Sequence, residues 1–145
     1  MPTLSRHLAL ACCLTAFSLG TTATELPSAP PGAEVYFISP MNGDHVDGKF
    51  VVRFGLRGMG VAPAGVDLPD TGHHHLLINA DPVPDLTQAL PASDQVVHFG
   101  KGQTETELDL PPGTYTLQLV LGNAMHIPFS PAVMSGTIEI TVNPE

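Results

Sequence analysis

Apolar side chains in this chain recur at every second residue. In residues 114–121, Tyr115, Leu117, Leu119 and Leu121 alternate with Thr114, Thr116, Gln118 and Val120. In residues 49–57, Phe50, Val52, Phe54 and Leu56 fall on one side, and Lys49, Arg53 and Arg57 on the other. Ile138, Ile140 and Val142 repeat the pattern near the end of the chain. Successive side chains of a strand point to opposite faces, so a period of two marks a strand with one buried face. Beyond the first 23 residues no stretch sustains the 3.6-residue period of a helix. The chain is thereby confined to all-β folds.

Breakers set the strand lengths. The chain has 14 Gly and 15 Pro, spread without a period, which excludes collagen and suits a domain with many turns. Strands are expected over 35–39, 49–57, 73–80, 94–99, 105–110, 114–121 and 137–142, with long loops over 58–72 and 81–93. About seven short strands with this punctuation predict an immunoglobulin-like antiparallel β-sandwich. The run Pro111-Pro112-Gly113-Thr114-Tyr115 resembles a tyrosine corner, in which a tyrosine hydroxyl bonds the backbone just upstream.

The first 23 residues read as a secretory signal peptide: Arg6, an apolar run over 8–19, then Thr21-Thr22-Ala23. That run is too short to span a bilayer. Residues 24–33 are a Pro-rich tether and residues 34–145 the folded domain. The expected destination is the periplasm or the exterior. Both cysteines, Cys12 and Cys13, lie inside the leader, so the mature chain has no disulfide. About 120 remaining residues suffice for a packed core. Without thiols, blue-copper, thiolate-zinc and cysteine-ligated iron–sulfur sites are excluded. A formal charge of −9 disfavours nucleic acid and anionic lipid as partners, and no integral membrane contact is expected. No protein partner is indicated.

Of the seven histidines only His7 lies in the leader. His73, His74 and His75 are consecutive. On a strand His73 and His75 share one face with Leu77 and Asn79, while His74 goes with Leu76 and Ile78 towards the core. A His-x-His pair spans about 7 Å between Cα atoms, close enough to ligate one metal ion. His98, before a Gly-rich turn, and His126, in the loop after the 114–121 strand, are the candidates to complete it. His74 and Met125 are secondary candidates, and His45 stands apart. An all-imidazole set suits copper or zinc. The rival reading is that these histidines hydrogen-bond backbone carbonyls and brace loops.

Catalytic signatures are missing. Gly-x-Ser-x-Gly, the P-loop pattern and His-Glu-x-x-His do not occur, and Gly100-Lys101-Gly102 precedes no helix that would hold a phosphate. No enzyme is expected. The least remote activity is that of a superoxide dismutase, which also mounts His-x-His on a sandwich.

From Val35 onward the chain resembles the bacterial exported family known as domain of unknown function 4399. The match rests on Ile38-Ser39-Pro40 with Asn42-Gly43-Asp44, on Phe54-Gly55-Leu56-Arg57-Gly58-Met59-Gly60, and on Thr71-Gly72-His73-His74-His75-Leu76-Leu77-Ile78. It continues through His98-Phe99-Gly100-Lys101-Gly102-Gln103-Thr104-Glu105, Leu117-Gln118-Leu119-Val120-Leu121-Gly122 and His126-Ile127-Pro128. The resemblance implies an exported, histidine-rich β domain with no established activity. Relatives often carry His where this chain has Val96, Tyr115 and Phe129. The set carried over is therefore His73, His74, His75, His98 and His126.

Overall fold

The computed structural model describes residues 25–144. The leader expected over 1–23 lies outside them. Among the described residues nine strands form: β1 (Glu34–Ser39), β2 (His45–Val46), β3 (Lys49–Arg57), β4 (Gly60–Val61), β5 (Thr71–Ile78), β6 (Val96–His98), β7 (Glu105–Asp109), β8 (Gly113–Gly122) and β9 (Ile138–Val142). The fold is all-β, and two sheets face each other as a sandwich. One sheet has the order β1-β3-β7; the other runs β2-β9-β8-β5-β4, with β6 also paired to β5. The longer strands match the alternating segments of the sequence. The two-residue strands β2 and β4 were not expected, and they pair in parallel, with β9 and β5 respectively, in an otherwise antiparallel fold.

Alternation builds the core as expected. Val52 and Phe54 from β3, Leu76 and Ile78 from β5, Leu117, Leu119 and Leu121 from β8, and Ile140 from β9 meet between the sheets. Tyr115 is half-buried beside them, and its hydroxyl donates to the Pro111 carbonyl at 2.9 Å, which completes the tyrosine corner. On the outer face of the smaller sheet, Arg57 meets Glu34, Arg53 meets Glu105 at 2.9 Å, and Lys49 meets Glu107 at 3.6 Å. These exposed pairs add little stability but keep that face wet.

The stretch before β1 has no regular structure and lies along the domain. The Ser130 amide donates to the Pro27 carbonyl at 2.7 Å, and Ala29 and Ala33 pack against the core.

β5 is covered on both faces. A second apolar cluster forms on its outer side from Leu77, Leu90, Val96 and Val120, with Leu86 and Met134 against it. The connection between β5 and β6 folds back over the sheet to make this cover. Imidazoles on that outer face are therefore removed from water.

Candidate metal centre

The three consecutive histidines of β5 are all fully buried, but in two different environments. His74 faces between the sheets, where its ring centroid lies 4.7 Å from that of Phe54. Neither of its nitrogens makes a hydrogen bond. Burial accordingly lowers its pKa from 6.5 to about 4, against an opposing pull from the Gly55 backbone. His74 is a neutral core residue and stands apart from its two neighbours.

His73 and His75 project from the opposite face. β8 runs antiparallel beside them, with His73 across from Gly122 and His75 across from Val120. A Cβ built on Gly122 would lie 2.6 Å from His75 Cε1, so the missing side chain is the room the ring occupies. Gly72 serves the same close approach of strands: a Cβ there would lie 2.6 Å from the Gly122 carbonyl oxygen.

β8 ends at Gly122 and the chain turns over the pair. The Asn123 side chain organises this turn. Its Oδ1 accepts from the Met125 amide at 2.9 Å and the Ile127 amide at 3.0 Å, while the Asn123 amide donates to the Ile127 carbonyl. His126 sits in the turn at φ +64°, a left-handed conformation uncommon for a residue with a Cβ. Neighbouring loops clamp it, since the Leu90 amide donates to the His126 carbonyl and the Gly65 amide to the Ala124 carbonyl.

The result is a triangle of ring nitrogens. His73 Nε2 lies 2.9 Å and His75 Nε2 3.2 Å from His126 Nδ1. One ligand atom from each residue lies within 4.8 Å of the others. Two imidazole nitrogens on a tetrahedral zinc stand roughly 3.3 Å apart, close to the 2.9 and 3.2 Å from His126 Nδ1. Proton counting points the same way. A neutral imidazole has one N–H and one lone pair, so His126 Nδ1 makes a good hydrogen bond to only one of the two Nε2 atoms facing it. A metal ion accepts all three lone pairs. The Nδ1 atoms of His73 and His75 are buried without partners, unlike most metal-ligating histidines, which donate that proton to an acceptor.

Burial keeps the pair neutral. Desolvation first, then the neighbouring imidazoles, lowers His73 from 6.5 to about 4 and His75 to about 2. Neutral imidazole is the form that ligates metal.

His98 enters from β6, paired across from His75. Its ring packs edge-on against His75 and lies over His126 with an interplanar angle of 30°. Its Nε2 donates to the Pro91 carbonyl at 3.2 Å, and burial lowers its pKa. The structure thus brings His98 to the cluster as a stacked neighbour, outside the three-nitrogen group. Met125, next to His126 in sequence, is 68% exposed. His45 contacts Asn143, away from the cluster. Reading the residues as potential ligands overlooked Gly122 and Asn123. A Gly-Asn pair closing the strongest strand was the available signal, and it was visible only as a turn.

The profile of one protein family, described as a domain of unknown function (DUF4399), matches residues 52–143. The chain belongs to this family. The DUF4399 match runs from the middle of β3 through β9 and includes His73, His75, His98 and His126. No curated protein and no solved structure matches the chain.

Proposed function

We propose that this DUF4399 domain is an exported, non-catalytic β-sandwich that binds one copper or zinc ion through His73, His75 and His126. The observation that carries the reading is the convergence of three ring nitrogens within 4.8 Å on a buried strand face. The donor set supports it, since imidazole suits both metals and no cysteine lies among the described residues. Isothermal titration of tag-free mature protein tests it. One equivalent of Cu(II) or Zn(II) is expected to bind and to raise the melting temperature, because an ion that binds only the folded state stabilises it by mass action. His75→Ala and His126→Ala should each abolish binding, whereas His45→Ala should not.

A second reading has its own observation. The 2.9 Å contact between His73 and His126 ties the 123–127 turn to β5 without an ion. On that reading the domain is an interaction or structural module and its histidines are braces. His126→Ala would then destabilise the metal-free protein, and no metal would bind stoichiometrically.

A further inference from the structure

We infer that a metal ion held by His73, His75 and His126 keeps one coordination position for a small exogenous anion. This rests on the metal-binding reading and names a ligand class for the same site. Among the described residues, the group of converging donor atoms contains three imidazole nitrogens and no carboxylate or thiolate. Neutral imidazoles leave a divalent ion its whole charge of +2. His73 and His75 form a wall with no solvent exposure, against which an uncompensated double charge is costly. A monovalent anion bound to the ion halves that charge and lowers the cost, and bound ions dominate the local field of such sites.

The chain's other candidates do not fill the position. His98 stands outside the group of converging donor atoms, its ring stacked over His126 and its Nε2 donating to the Pro91 carbonyl. Met125 is exposed at the turn. His98 and His126 are the half-buried members of the cluster, so a ligand reaches the ion from their side. Three protein donors plus one exchangeable ligand is the pattern of metal sites that hold water or substrate; closed structural sites use four protein donors.

The experiment is an azide titration of tag-free mature protein carrying one equivalent of Cu(II). It is read by azide-to-copper charge-transfer absorption and by electron paramagnetic resonance. One azide per copper is expected, with a new saturable band, a changed copper spectrum and no response from metal-free protein. His98→Ala should respond as wild type does; His98→Gln replaces it if the alanine variant does not fold. A protein that holds copper stoichiometrically but ignores saturating azide overturns the inference and leaves the metal reading standing. A response confined to the His98 variants also overturns it, assigning the fourth position to His98. Failure to bind copper at all overturns both.

Discussion

Gly122 is small because of the ring beside it. An added methyl group would overlap His75 Cε1 at 2.6 Å and crowd His75 Nδ1 at 3.2 Å. His75 has no free volume to retreat into, being fully buried. Gly122→Ala should therefore cost about 1–3 kcal/mol in urea unfolding and weaken metal binding together. A variant as stable as wild type with unchanged affinity would mean that the ring does not sit where the structure puts it. His126 shows the same coupling of backbone to site. Its left-handed φ is a local strain, held in place by the surrounding hydrogen bonds and located where the ring nitrogen is aimed at His73 and His75.

Among the elements, β8 contributes twice. Its inward residues form the middle of the core, and its end launches the turn that carries His126. Leu119 is fully buried between the sheets, so Leu119→Ala should leave a cavity and cost about 2–5 kcal/mol by urea unfolding. An unchanged midpoint would mean that the alternation is out of phase by one residue. The turn depends on one acceptor oxygen. Asn123→Ala leaves the Met125 and Ile127 amides without it, so the expected result is a loss of about 1–3 kcal/mol and a lower metal affinity. Asn123→Asp keeps an acceptor there and should recover most of the affinity by calorimetry. Equal losses in both variants would show that the hydrogen bonds are not what positions His126.

For the whole molecule, burying three imidazoles on one strand couples folding to protons. His73, His74 and His75 all have folded-state pKa values below the ordinary 6.5. The unfolded chain therefore binds more protons than the folded one once pH drops below about 6.5. Their contribution to stability is complete above that value and is lost as pH falls, through about 4 for His73 and His74 and on towards 2 for His75, at about 1.4 kcal/mol per pH unit for each proton taken up. Urea midpoints of metal-free protein should fall through this window with a slope of up to three protons. His74→Leu, which removes a core imidazole without touching the nitrogen triangle, should reduce that slope by about one proton. A flat profile between pH 6.5 and 4 would show that these rings are hydrated. Among the described residues no helix is long and apolar enough to cross a membrane.

Seven of the nine strands, their inward faces, the corner at Tyr115 and the division of His73 and His75 from His74 were legible in the sequence, whereas β2 and β4 were not. Each follows from a local rule: side chains alternate along a strand, Pro and Gly end it, and a tyrosine after a Pro-Gly turn reaches back four residues. The family, too, was legible in motifs between Ile38 and Pro128, most of which fall inside the match over residues 52–143. Alternation says which residues share a face but not what covers that face. That β5 is sealed on its outer side by Leu86, Leu90 and Val96 depends on a long loop folding back. Nor does any local rule choose between His98 and His126. His126 joins the pair from 51 residues beyond His75, because the β5–β8 register sets Gly122 opposite His73 and Asn123 turns the chain over it. His98, only 23 positions from His75 in sequence and paired with it in register, stays outside the converging group and donates to the Pro91 carbonyl. Convergence of the ring nitrogens is a property of strand register and loop closure, which are set by contacts between segments far apart in the chain, and so only the tertiary structure decided it.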